Sequence, residues 1–253
     1  MPGSIMPVTE RWITPDWPAP RSVRAATTTR TGGVSTGAWT SMNLAAHTGD
    51  VPSDVAANRR RLVTDLALPA VPRWLVQVHG TRVVDAADDI ADTAADAVVA
   101  HVPGSVCAVL TADCLPVLFC DRAGREVAAA HAGWRGLAAG VLEQTVAGLH
   151  APGAELLAWL GPAISTTAYV VGEEVHSAFV TRDARAAEVF RPAADGGWHA
   201  DLYALARQRL ADCDVTQIYG GGFCTFNEPE RFYSYRRDGV TGRMASLVWL
   251  EVR

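Results

Sequence analysis

Three residues with soft donor atoms end apolar runs in the middle of the chain: His79 closes LVQVH, Cys114 follows SVCAVLTAD, and His131 closes EVAAAH. Two imidazoles and a thiol at three strand ends supply either a metal site or a thiol–imidazole catalytic pair. Taken singly, each has a simpler reading. A histidine at a strand end is commonly structural, and a buried cysteine is commonly a small hydrophobe. The simpler reading is accepted for Cys107 and Cys120, which lie inside apolar runs. Cys114 differs, because it sits between Asp113 and Leu115-Pro116, where the run breaks.

The positioning elements follow from periodicity. WLVQVHG reads as a strand, and alternation puts Leu75, Gln77 and His79 on one face, so Gln77 joins whatever His79 lines. DAVVA and SVCAVL are two further strands. The run Val106 to Leu110 is continuous rather than alternating, so both of its faces are expected to be buried. Pro116 argues against a simple central strand there, and a kink turns Cys114 into a cavity. EVAAAH is a strand, Gly133 and Gly136 frame a turn carrying Trp134 and Arg135, and one helix follows with the stripe Ala138, Val141, Leu142, Thr145, Val146 and Leu149. The start of that helix beside His131, together with Arg135, favours an anion.

Upstream, residues 1 to 22 read as a loosely ordered lead-in. Thr27 to Thr29 form a strand that enters a glycine-punctuated loop with Arg30 at its mouth. Backbone N–H groups of such a loop, with Arg30, suit an anion, although a surface hairpin with an exposed arginine explains the same residues. A helix from about Ser53 to Leu66 is expected, capped by Ser53 or Asp54. Residues 85 to 96 read as a solvated Ala/Asp-rich loop and 181 to 199 as irregular. Downstream come the strand LLAWL, a helix over Glu173 to Val180, the helix ADLYALARQRL, the strand VTQIYG, a turn at Asp238-Gly239 and the last strand MASLVWL. Tyr233, Tyr235, Arg236 and Arg237 either reach a ligand or form a cross-strand aromatic pair with surface arginines.

Composition removes several function classes. The net charge is -5 and lysine is absent, which argues against a basic nucleic-acid binder. No apolar stretch approaches the ~18 residues of a membrane span. MPGSIMPVTE lacks the basic and apolar regions of a signal peptide. Five cysteines, an odd number, suggest reduced thiols in a cytoplasm rather than a disulfide framework.

VHG, TADCLPVL and HAGWRG, in that order, resemble the YfiH-like family, whose members have been labelled polyphenol oxidoreductases or laccases. RTGGVS, NLAAHTGD, GPAIS, YVVGEEV, FCT and FYSYRRDGVTGRMASLVWL extend the resemblance from about Thr27 to the C-terminus. The resemblance implies an α+β fold, a single domain in which mixed β-sheets pack between helices in α/β/β/α layers. It also implies a zinc site whose ligands fall on His79, Cys114 and His131. Its implied activity is phosphorolysis of adenosine, inosine, guanosine and methylthioadenosine, with deamination of adenosine, so the small-molecule partners would be a purine nucleoside and phosphate. Arg30 and Asn43 match family positions near the pocket, and with Gln77 and Arg135 they make up the expected substrate-binding set.

The chemistry narrows this further. Multicopper oxidases use paired His-x-His motifs, but no two of the seven histidines here are separated by a single residue. A single copper can still compete for a His/Cys site in vitro. One zinc on His-Cys-His with an open position is a catalytic arrangement. The His-x-Glu and Pro-Cys-x-x-Cys spacing of cytidine deaminases is absent. Asp113 is either a proton donor to the leaving base or a structural neighbour of Cys114. The alternative is a metal-free cysteine hydrolase or amidase that edits peptidoglycan precursors, with Cys114 as nucleophile and His131 as base; a zinc-stabilised binding protein is a third class.

Overall fold

The computed structural model describes residues 11–88 and 93–252. Two sheets stacked face to face carry almost all of the long apolar runs. The first contains β1 (Trp12–Ile13), β2 (Val23–Thr28) and, far along the chain, β5 (Val106–Thr111) and β13 (Met244–Leu250), in the order β1-β2-β13-β5 and antiparallel throughout. The second contains β3 (Val83–Asp85), β4 (Ala97–Ala100), β6 (Leu115–Asp121), β7 (Val127–Ala132), β8 (Leu156–Leu160) and β12 (Gln217–Gly220). Its order is β12-β8-β6-β7-β4-β3, with parallel pairs only at the two edges.

The side-chain period of two explains why these strands are apolar on both faces. Val127 and Ala129 of β7 and Leu118 and Cys120 of β6 meet Cys107 and Val109 of β5 and Val248 of β13 between the sheets. The alternate residues Ala128, Ala130, Val117 and Phe119 face an outer helical layer instead. That layer contains α2 (Trp134–Ala139), α3 (Val141–Ala147), α4 (Glu173–Val180) and α5 (Leu202–Ala211). On the other side, Leu62 of α1 (Pro52–Asp65) covers Ala108, Leu110 and Leu247. The result is the α/β/β/α layering expected of the family. Each fully buried Leu or Phe in these layers is worth about 1.5–3 kcal/mol over exposure.

Several local expectations are corrected. WLVQVHG is not a regular strand: it makes one isolated bridge, Val76 to Ala94. Pro116 does lie in a central strand. Its carbonyl accepts from Gly161 N at 2.9 Å, and the β6–β8 ladder begins only at Val117, so its missing N–H costs no ladder bond. The helix after His131 is two helices, because Gly140 adopts φ 108° between α2 and α3. The helix α1 starts with Val51 as its N-cap and Pro52 in its first turn, without a side-chain cap. Residues 181 to 199 contain a 3-10 helix (Ala184–Val189), β10 (Phe190–Pro192) and most of β11 (Trp198–Ala200); β11 pairs with β10 on one side and β9 (Val170–Val171) on the other in a small third sheet. The lead-in is ordered from Arg11 by the β1–β2 pairing, and residues 1–10 lie outside the described set. Tyr235 opens a short helix, α6 (Tyr235–Asp238), so no cross-strand pair with Tyr233 exists. Of the predicted loop at 85–96, Asp85 ends β3, Asp96 is fully buried and 89–92 lie outside the described residues. Among the described residues no helix is long and apolar enough to cross a membrane.

Candidate active site and metal centre

The chain crosses from one sheet to the other between Thr111, the end of β5, and Leu115, the start of β6. Asp113 takes φ 88° to make that crossing, a backbone region that Asp tolerates better than most residues. Its two carboxylate oxygens hold the bend: one accepts from Thr225 Oγ1 at 2.6 Å, the other from Arg236 N at 2.7 Å. Cys114 is thereby set at the end of the gap between the sheets. The β6–β7 register pairs Leu115 with Ala132 and Pro116 with His131, which brings Cys114 beside Gly133. His131 shares the parity of Val127 and Ala129, so its ring enters the same gap.

His79 arrives from a different segment and is held by Asp96. The β4–β7 register pairs Ala97 with Ala130, so Asp96 lies opposite His131. One Asp96 oxygen accepts from His131 Nδ1 at 2.8 Å and from His79 N at 2.9 Å. The other accepts from Gly80 N at 2.6 Å and Val78 N at 3.2 Å. This single buried carboxylate orients the His131 imidazole and fixes the main chain that carries His79, and it selects the His131 tautomer that leaves Nε2 for Cys114 or an ion. His79 itself takes φ 59°. Gly133 is required by proximity: a Cβ there would stand 2.7 Å from His79 Cδ2 and 3.0 Å from Cys114 Sγ.

Charge follows from this geometry. Burial opposes ionisation of Cys114, but the His131 imidazolium and hydrogen bonds from both histidines outweigh it and lower the thiol to about 6. Burial likewise disfavours charged His131, yet the Cys114 thiolate and the Asp96 hydrogen bond raise it to about 9. Burial would raise Asp96, but its bonds to His131 and the backbone amides leave it below the ordinary carboxylate value. The protein without metal therefore carries a thiolate–imidazolium pair at neutral pH.

The three donors fit one divalent ion. Their ligand atoms lie within 4.8 Å of one another, and Cys114 Sγ is 3.8 Å from His79 Nε2. A tetrahedral zinc with ordinary bond lengths would set that pair about 3.5 Å apart. All three donors face one cavity of about 510 Å³, within the range of small-molecule sites.

Of the other expected site residues, Gln77 and Arg135 line that cavity and Arg30 and Asn43 do not. Gln77 spends its amide on the main chain of Leu110, donating at 2.8 Å and accepting at 2.7 Å, and so substitutes for a strand neighbour. Arg30 donates to the carbonyls of Thr40 and Pro229 and lies over Tyr233. Asn43 is fully buried and ties Ala45, Thr48, Asp50 and Arg243 N together. Tyr169 and Arg243 line the cavity although no pattern singled them out, and Asp96 holds its wall. Arg243 and Asp96 each stand immediately before an apolar strand, the same signature that marked His79 and His131 at strand ends.

Comparison with known proteins agrees with this architecture. A profile of the family described as multi-copper polyphenol oxidoreductase laccase matches residues 24–251. The chain is 58% identical over 241 residues to a purine nucleoside phosphorylase of Pseudomonas aeruginosa, covering 95% of this chain and 98% of that one. It is 55% identical over 239 residues to purine nucleoside phosphorylase YfiH of Escherichia coli, covering 94% and 98%. A crystal structure of a Neisseria meningitidis protein superposes with a TM-score of 0.93 at 52% identity, covering 96% of this chain and all of that one. YlmD from Geobacillus stearothermophilus superposes at 0.85 with 30% identity, covering 95% and 96%. The His79, Cys114 and His131 donors are spaced for one ion, and the His-x-His pairs of a multicopper centre are absent from the sequence. By sequence and by fold, the chain belongs to the YfiH family, the one described as multi-copper polyphenol oxidoreductase laccase.

Proposed function

We propose that the protein is a zinc-dependent purine nucleoside enzyme that cleaves adenosine, inosine, guanosine and methylthioadenosine with phosphate and also deaminates adenosine. The observation that carries this reading is one cavity in which the His79, Cys114 and His131 donors stand with Arg135, Arg236 and Arg243. The naming of relatives at 58% and 55% identity as purine nucleoside phosphorylases supports it.

In phosphorolysis a phosphate oxygen bonds to ribose C1′ while the C1′–N9 bond breaks, and the purine leaves with the electron pair and gains a proton. The Arg135 side chain stacks on Trp134 and makes no hydrogen bond to any described residue, so its fork is available to an oxyanion. Arg236 and Arg243 are steadied over Tyr169 and Tyr235 and by carbonyls of Val170, Thr241 and Gly242. The arginines supply the anion site, because α2 is only six residues long. Tyr169 and Trp134 offer ring faces to the base. Burial keeps the Tyr169 hydroxyl protonated, which makes it a donor to the purine edge. His79, Cys114 and His131 would hold a zinc ion, which would supply Lewis-acid polarisation and a nucleophilic water at neutral pH, the chemistry that attack at adenine C6 requires. The five free thiols suit a reducing cytoplasm.

The cysteine-hydrolase alternative is not favoured, since the relatives at 58% and 55% identity are named for phosphorolysis and not for hydrolysis. Product analysis with adenosine decides the matter, run with and without phosphate on protein of assayed metal content. Adenine that forms only with phosphate, inosine that forms without it, and about one zinc in the His-Cys-His site are the expected results. Protein that turns over no purine nucleoside would overturn the reading.

A further inference from the structure

The strands that carry Asp96 and His131 at one end carry a second donor cluster at the other. His101 follows β4, Glu126 precedes β7, and His150 lies in the connection between α3 and β8. Glu126 and His131 are five positions apart along the strand, about 17 Å of extended chain, so this cluster takes no part in the chemistry at Cys114.

Its geometry is poorly served by hydrogen bonds alone. Glu126 is 4% exposed, and its Oε1 accepts from Ala151 N at 2.6 Å. The other oxygen, Oε2, accepts from His150 N at 2.9 Å, is hydrogen-bonded to His101 Nδ1 at 3.0 Å and lies 3.5 Å from His150 Nδ1. A carboxylate oxygen offers two lone-pair sites. His101 Nδ1 and His150 N take those two sites, so His150 Nδ1 approaches Oε2 without a hydrogen bond, its ring stacked 4.1 Å from that of His101. An ion beside Oε2 would engage both Nδ1 atoms as electron-pair donors.

The distances suit such an ion. Donor atoms around a tetrahedral zinc stand about 3.3 Å apart, between the 3.0 and 3.5 Å seen here, and one ligand atom from each residue lies within 4.8 Å of the others. His101 Nε2, the ring nitrogen left over, faces Asp85 Oδ2 at 3.7 Å, the outer carboxylate that commonly orients a ligating histidine. Arg122 and Arg125 on the rim are paired with Glu155 and Asp121, which limits their repulsion of a cation. The cluster opens onto a cavity of about 370 Å³ that leaves room for a solvent ligand.

We propose that His101, Glu126 and His150 form a second, structural site for a borderline divalent ion of the zinc class, one that ties the end of β4 to the β6–β7 turn and the α3–β8 connection. Two imidazoles and a carboxylate select zinc, cobalt or nickel over magnesium or calcium. The probe is Co²⁺, titrated into the full chain after metal is stripped with a chelator. Binding at the first site is read from thiolate–cobalt charge-transfer absorption, total binding from metal analysis after gel filtration, and folding from circular dichroism. The expected result is a further cobalt equivalent that gives no thiolate absorption and persists in Cys114→Ser. It is lost in His150→Ala, a change at an exposed side chain, and also in His101→Gln, while both variants keep the fold and the first site. The proposal is overturned if the parent binds no equivalent beyond the first site. It is equally overturned if either histidine variant still binds the second ion, since one imidazole would then hold it alone. Absence of the thiolate band in the parent would count against the first site only.

Discussion

Asp96→Asn is the most informative single perturbation, because one carboxylate serves four donors: the amides of Val78, His79 and Gly80 and Nδ1 of His131. Asparagine keeps the shape but supplies one oxygen. If its amide nitrogen takes the place facing Gly80 and Val78, two backbone donors lose their acceptor; if it takes the other place, His79 N and His131 lose theirs. Two buried unsatisfied donors cost about 1–3 kcal/mol each, so the variant should lose about 2–6 kcal/mol, or roughly 4–24 °C in Tm at about 2–4 °C per kcal/mol. In the second orientation the amide N–H also drives the His131 proton onto Nε2, the atom needed by an ion. Loss of such an orienting carboxylate usually lowers metal affinity about 10–100-fold, about 1.4–2.7 kcal/mol. The assay is zinc competition against a chromogenic chelator, with thermal unfolding in parallel. A variant with unchanged zinc affinity and unchanged Tm would show that Asp96 neither orients the His131 ring nor holds the main chain at His79.

Asp113→Asn should keep both anchoring contacts, because the Thr225 hydroxyl can accept from an amide, and should retain turnover; Asp113→Ala should lose about 2–5 kcal/mol by urea unfolding. Abolished turnover in a stable Asp113→Asn protein would instead make Asp113 the proton donor. Gly133→Ala should lower zinc affinity without unfolding the chain, since the new methyl separates His79 from Cys114 at an overpacking cost of about 1–3 kcal/mol; a chelator titration reads this directly. In chelator-stripped protein the Cys114 alkylation rate should fall as pH drops through about 6, where the thiolate takes up its proton. An ordinary cysteine loses reactivity nearer about 8.5, and a midpoint there would refute the thiolate–imidazolium pair.

Much of the scaffold is legible in the sequence because apolar runs buried on both faces can only be inner strands or the helices that cover them. SVCAVL, EVAAAH, LLAWL and MASLVWL declare themselves in this way, and His131 and Cys114 stand out as polar residues where such runs stop. The family motifs name the three donors as well. What the sequence hides are roles set by partners remote in the chain. Asp96 sits in an Ala/Asp-rich stretch that looks solvated, and only the β4–β7 register places its carboxylate against His131. Gln77 and Asn43 have the chemistry of ligand-binding residues, yet their amides satisfy buried main-chain groups that exist only once Leu110, Ala45 and Arg243 are in place. Pro116 reads as a strand breaker, but the ladder on its N–H side starts one residue later. The sequence by itself determined which side chains can hold an ion and which runs must be buried, because those follow from donor type and hydrophobic period. Only the tertiary structure decided which carboxylate orients His131, which arginines face the cavity and which amides are already committed, because each depends on a register between strands that the chain brings together from far apart.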